Sequence, residues 1–182
     1  CLPYAGGLAL SDAGDKIYVT LSRSNSLAIV NLPGHSVEEI PVGVAPYDVV
    51  PVSASRAYVS NWGGRHPGET DPSYKSSGTS VLVDPKTGIA ASGTVSVVDL
   101  ELKKEIKSIE VGLHPCGMAL SPDKEKLYVA CANSDIISVI STATDEVVET
   151  ISVHPDVTDS FGSAPNDLAI SPDGKTLYVA NG

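Results

Sequence analysis

Four times along the chain, the pair Tyr-Val follows a short apolar run and a polar turn. The copies are Tyr18-Val19, Tyr58-Val59, Tyr128-Val129 and Tyr178-Val179, preceded by GLALSDAGDKI, DVVPVSASRA, GMALSPDKEKL and DLAISPDGKTL. After three of them comes a second apolar run: SLAIVNL from Ser26, TVSVVDL from Thr94 and IISVIST from Ile136. A further segment then follows, VEEIPVG, KEIKSIEVG or VVETISV. Internal repetition constrains a fold more than any other sequence feature, because one small unit must be stable as a stack of copies.

Each unit reads as four short strands. In the third copy strand a covers 118–120, strand b 127–130, strand c 137–140 and strand d 147–153. The links carry Pro-Asp-Gly, Asp-Lys or Thr-Asp, residues that set turn geometry or hydrogen-bond their own backbone. Antiparallel strands joined by such links form a four-stranded meander. One small sheet cannot bury both of its faces alone, whereas sheets packed face to face around an axis can. The expected class is therefore all-β, a β-propeller of four-stranded antiparallel blades.

Composition agrees with that class. Sixteen Gly and 13 Pro are too many for a helical bundle, and 42% hydrophobic residues are too many for a disordered tail. The net charge of −10 repels phosphate backbones and anionic lipid, so nucleic acid is not an expected partner. No apolar run reaches the roughly 18 residues that a membrane span needs.

Spacing shows where the repeat is interrupted. The Tyr-to-Tyr intervals are 40, 70 and 50 residues. A unit of about 42 residues accounts for all three if 28 are inserted between strands b and c of the second copy and 8 before strand a of the fourth. Blade 1 then covers about 1–43, blade 2 about 44–112 with its insertion at 62–93, and blade 3 about 113–153. A loop at 154–163 leads to strands a and b of blade 4 at 164–182. This is an incomplete set of about three and a half blades, half of a seven-bladed ring, whose remaining blades would come from the same or another chain.

The units resemble the YVTN-repeat β-propellers, whose blades read apolar-Ser-Pro-Asp-Gly-Lys-x-Leu-Tyr-Val-x-Asn. Residues 171–181, Ser-Pro-Asp-Gly-Lys-Thr-Leu-Tyr-Val-Ala-Asn, match that string throughout, although Leu21 and Cys131 stand where Asn61 and Asn181 do. Asn61-Trp62-Gly63-Gly64-Arg65, Val83-Asp84-Pro85-Lys86-Thr87-Gly88 and Gly112-Leu113-His114-Pro115 are similar to a narrower group. There a secreted bacterial propeller precedes an alkaline-phosphatase-type phosphoesterase domain. The resemblance implies an extracytoplasmic location, periplasmic or secreted, and a larger parent protein. It does not imply phosphoesterase chemistry in this segment, which lacks a nucleophile set among Asp and His metal ligands.

Three places could carry chemistry or contacts. The blade-2 insertion holds Trp62, Arg65, His66, Asp71 and Tyr74, an aromatic and charged patch on the edge of a rigid scaffold. Its second half, 80–83 and 89–91 around Asp84-Pro85-Lys86-Thr87-Gly88, reads as a small hairpin. A lid that packs Trp62 on its own blade is an equal alternative, because loops this long are functional or disordered. The patch would dock a protein partner, or a further domain of the parent.

The second place is the channel mouth, where Asp48 and Asp167 follow strand-opening prolines and His114 precedes one. They could hold a cation in a hydrolase-like or lactonase-like site. The weightier alternative is that each Asp caps backbone N–H groups at its own turn. The third place is the cysteine pair. Folding the a–b hairpin of blade 3 about Asp123–Lys124 puts Cys116 and Cys131 opposite or one position apart, and a disulfide requires a Cα separation of roughly 4.4–6.8 Å. Two packed thiols are the alternative, since a shift of one residue turns the side chains to opposite faces. Cys1 could be a lipidated N-terminus or the cut end of a longer chain.

Neither Gly-x-Ser-x-Gly nor Cys-x-x-Cys-His occurs. The His residues do not share metal-ligand spacing, so no cofactor or metal is expected. The expectation for function is a non-catalytic binding or scaffold module. A propeller enzyme working at the channel mouth and a structural cell-surface repeat protein are its rivals.

Overall fold

The computed structural model describes residues 4–76, 78–154 and 162–182; Cys1 and most of the expected 154–163 loop lie outside them. Every regular element described is a strand. β1 (Ala5–Leu10), β2 (Lys16–Leu21), β3 (Ser26–Asn31) and β4 (Val37–Pro41) form the first sheet in sequence order. The second blade is β5 (Val44–Ser53), β6 (Arg56–Gly64), β9 (Thr94–Asp99) and β10 (Lys104–Glu110). Between its second and third strands the chain makes a separate hairpin, β7 (Ser73–Ser76) and β8 (Thr79–Leu82). The third blade is β11 (Pro115–Leu120), β12 (Lys126–Cys131), β13 (Ile136–Ser141) and β14 (Glu146–Ser152), and β15 (Pro165–Ile170) pairs with β16 (Leu177–Asn181) in the fourth. All ladders are antiparallel, as short links demand.

The a–b turns show why the Ser-x-Asp string recurs. In blades 3 and 4 the serine hydroxyl donates to the aspartate two residues on, Ser121 to Asp123 at 2.5 Å and Ser171 to Asp173 at 2.6 Å. The same hydroxyls accept the returning strand's N–H, from Lys126 and Thr176 at 2.9 Å each. The turns of blades 1, 3 and 4 each place one residue in the left-handed region, Gly14, Lys124 at φ 62° and Gly174.

Two apolar seams join the blades. Tyr18, Leu27, Ile29 and Ile40 of blade 1 pack on Val49, Ala57, Val59 and Val98 of blade 2. Tyr58, Val95, Val97 and Ile109 of blade 2 pack on Met118, Leu127, Val129 and Ile140 of blade 3 in the same way. The Tyr of each repeat thus points forward, and the Val after it points back. Fully burying one such side chain is worth about 1.5–3 kcal/mol. Strand-b hydroxyls cross the seams too: Thr20 donates to the Tyr47 carbonyl at 3.0 Å, and Ser60 to that of Cys116 at 2.7 Å. Among the described residues no helix is long and apolar enough to cross a membrane.

Candidate functional site

The insertion is an ordered cap over the start of β5. The hairpin expected at 80–83 and 89–91 forms around Asp84–Gly88: Val83 is bridged to Ala90, the Asp84 N–H donates to the Ile89 carbonyl and the Ala91 N–H to that of Leu82, both at 2.9 Å. A second ladder that was not expected pairs β7 with β8, Tyr74 opposite Val81. Val81 and Ala90 must face inward onto Val44 and Ala45, with Trp62 alongside, and this burial sets the register. Polar anchors complete the cap. Asn25 of blade 1 donates to the Thr79 hydroxyl at 2.8 Å and accepts from the Ala45 N–H at 2.9 Å. Asp84 accepts the N–H groups of Lys86 and Thr87, which holds its carboxyl below the usual carboxylate range.

The five patch candidates separate into holders and one outward group. Arg65 pairs with Asp71 at 2.6 Å, and the hydrogen bond from that guanidinium holds the Asp71 carboxyl low. The His66 ring nitrogen lies 2.9 Å from the Val42 carbonyl. The Trp62 ring leans on His114, centroids 5.2 Å apart and planes at 33°. Tyr74 projects outward and is 74% exposed. It is the side chain of the five free to meet a partner.

At the axis, the first strands of all four repeats line an open cavity of about 540 Å³, with Tyr4, Gly7, Tyr47, Asp48, Gly117 and Asp167 among its walls. Asp48 and Asp167 therefore do come together at the channel. His114 does not join them: it is packed against Trp62, its Nδ1 3.3 Å from Cys116 Sγ, and burial holds its pKa down. The expectation that the three converge is thus corrected, because Gly117, two residues after Pro115, and not His114 before it, lines the axial cavity. Among the described residues no three His, Cys, Asp or Glu side chains gather as a metal site would require.

Asp48 Oδ1 accepts its neighbour Val49 N–H at 2.8 Å, the local cap expected from the turn. Its Oδ2 reaches across to the Met118 N–H of the next blade at 2.9 Å, which sequence reasoning missed. Burial nonetheless raises its pKa, with the two N–H groups opposing. Asp167 repeats the local half of this arrangement, accepting from Leu168 N–H at 2.8 Å.

Cys116 and Cys131 are free and buried. Pro115, not Cys116, stands opposite Cys131, and the ladder then skips to Met118 opposite Val129. That bulge displaces Cys116 from the cross-strand position, so the disulfide that spacing allowed is not made. Burial pushes the Cys116 thiol up to about 11 and the Cys131 thiol up as well, so neither is an activated nucleophile.

Another group left unread in the sequence ties blades 2 and 3 at the rim. Asp145 accepts from the Tyr58 hydroxyl at 2.6 Å and pairs with Arg56, whose guanidinium also donates to the Thr142 carbonyl at 3.0 Å. Burial and this carboxylate push the Tyr58 phenol above its ordinary range.

No family model matches the chain. A curated relative, Antigen Lp49 of Leptospira interrogans serogroup Icterohaemorrhagiae serovar copenhageni, is 33% identical over 101 residues, covering 48% of this chain and 20% of that protein. Among solved structures, Kuenenia stuttgartiensis hydrazine synthase superposes with a TM-score of 0.72 at 31% identity, covering 98% of this chain and 42% of that one. The WD40 β-propeller domain of Doa1 superposes at 0.66 with 10% identity over 98% of this chain and 47% of that one, a likeness of fold alone. The chain therefore spans a fifth of the antigen's length and under half of either solved chain. Four antiparallel repeats packed face to face, with such neighbours, make this an all-β chain of the β-propeller fold.

Proposed function

We propose that the chain is a non-catalytic binding and scaffold module of the YVTN-repeat kind, part of a larger extracytoplasmic bacterial protein. Its partner would be a protein surface, or a phosphoesterase domain of the same parent, held against the outer side of the blade-2 insertion. The observation that carries the reading is the division of labour there. His66 and Thr79 tie the insertion to blade 1 and the Arg65–Asp71 pair braces it from within, while Tyr74 is left 74% exposed at its outer strand. Rigid presentation of an aromatic side chain suits recognition, because little entropy is lost on contact. The likeness to a bacterial protein titled an antigen is in keeping with exposure outside the cell.

Tyr74→Ala together with Lys75→Ala tests the reading in a pull-down from extracytoplasmic extract or with the parent's remaining domains. Capture should fall at least tenfold, with circular dichroism and melting unchanged. Undiminished capture by the folded double variant would remove the insertion as the docking surface. Deleting 65–92 is a less clean test, because it also uncovers Val44 and Ala45.

A further inference from the structure

The axial positions of the four repeats alternate in a way that no neighbouring pair shows alone. The residues that stand in register are Gly7, Asp48, Gly117 and Asp167, each immediately before the residue paired with the Val of Tyr-Val. A bulge precedes that pair in every repeat, between Ala5 and Leu8, Pro46 and Val49, Pro115 and Met118, and Pro165 and Asp167. The alternation separates two kinds of seam.

Where glycine comes first, the backbones are in close approach. A Cβ on Gly7 would lie 2.7 Å from Asp48 Cα and 2.8 Å from the Tyr47 carbonyl oxygen. One on Gly117 would lie 2.6 Å from Asp167 Oδ1 and 3.0 Å from the Asn166 carbonyl oxygen. Where aspartate comes first, its side chain bridges the seam instead, from Asp48 Oδ2 to the Met118 N–H. That N–H is available because Gly117, just before it, has no side chain to claim it. In both aspartate blades the equivalent N–H, of Val49 or Leu168, is already bonded to its own aspartate.

Asp167 is thus an aspartate latch with half of its bonds made. Oδ1 holds Leu168, and among the described residues no donor reaches Oδ2. The apolar face beyond it is uncovered: Tyr178 is 60% exposed, while its counterparts Tyr18 and Tyr58 are 2% and 0% exposed beneath the next blade. We propose that this face is an interface for a further blade of the same repeat type, and that Asp167 selects one with glycine at the position of Gly7 and Gly117. The occupant follows from continuity with the blade 2–blade 3 seam, where the same aspartate, forward-pointing Tyr and following N–H are all engaged.

The latch can be tested first within the chain. Amide hydrogen exchange at Met118 should quicken on the order of tenfold in Asp48→Ala and in Asp48→Asn, with Leu168 unchanged. Unaltered Met118 exchange in either folded variant would overturn the latch. The chain is then extended with a copy of residues 133–153, completing blade 4, and a copy of residues 112–152 as blade 5.

In that extended chain the repeated Met118 amide should be protected, and Asp167→Ala should release it on the order of tenfold. Changing Gly117→Asp in the appended copy alone should abolish the protection. An unprotected fifth blade, insensitivity to Asp167→Ala, or equal protection with aspartate each overturns the selection of a glycine blade. Dimerisation of the unextended chain, with Leu8 protected as concentration rises, would also overturn it by making a second copy the occupant.

Discussion

The seam between blades 2 and 3 and the outer faces of blades 1 and 4 are built from the same repeat positions, yet they sit in opposite environments. Val49 and Met118, which point back from strand a, are 3% and 6% exposed; Leu8, at the same position of blade 1, is 67% exposed. The forward tyrosines behave alike, Tyr58 being fully buried and Tyr178 60% exposed. Residue type is nearly constant across these pairs, so the difference lies in the neighbour and not in the strand. A blade of this kind carries the chemistry of two interfaces whether or not both are filled.

The sharpest way to break the comparison is to truncate one leucine in the closed seam and one on the open face. Leu127→Ala, in the closed seam, should cost about 2–5 kcal/mol of unfolding free energy, from lost transfer energy and the cavity left behind. Leu8→Ala, on the open face, should stay within about 0.5 kcal/mol by the same urea titration. Equal losses would mean that the open face is covered in solution.

The rim clasp ranks next. Asp145→Ala leaves Arg56 and the Tyr58 hydroxyl without their carboxylate and should destabilise by about 1–3 kcal/mol. A double-mutant cycle with Tyr58→Phe should then show coupling, because both changes remove one bond. Additive losses would show that the clasp is ornamental to the seam.

The buried thiols give a pH-dependent test of the same seam. The Cys116 thiol titrates near 11 when folded, against an ordinary value of 9.0. The folded state therefore holds its proton where the unfolded state has lost it, and stability is full below about pH 9. It should fall as pH rises from there towards 11. In Cys1→Ser, native Cys116 and Cys131 should react with a thiol reagent at pH 8 far more slowly than after urea. Fast native labelling would show that the seam opens readily. The smallest expected effect on stability is at the insertion: Tyr74→Ala should shift unfolding by no more than about 0.5 kcal/mol while weakening capture.

Much of this architecture was legible in the residues. Apolar runs bounded by Ser-Pro-Asp-Gly place the strands, and the distance from Asn61 to Val95 locates the insertion. Registers across irregular places were not legible. The hairpin of 80–83 with 89–91 was expected, but the second ladder, Ser73–Ser76 on Thr79–Leu82, was not. The burial of Val81 and Ala90 on Val44 and Ala45 fixes which face of this small sheet turns inward. Likewise, the spacing of Cys116 and Cys131 permits a bond that the bulge before Met118 prevents.

The role of the axial aspartates was half legible. Asp after Pro-x suggests a local cap, and Asp48 and Asp167 each make one. Nothing local signals that Asp48 Oδ2 reaches Met118, 70 residues away in the chain. The alternation with Gly7 and Gly117 is written in the sequence, but it means nothing until the four strands stand side by side.

The sequence by itself determined the repeat, the all-β class, the turn chemistry and the position of the insertion, because these follow from local periodicity and backbone preference. The tertiary structure alone decided which carboxylates bridge seams, which cysteine leaves the ladder and which tyrosine is buried. Those outcomes depend on spacings of a few ångströms between segments far apart in the chain, and hydrogen bonding and packing change over less than that distance.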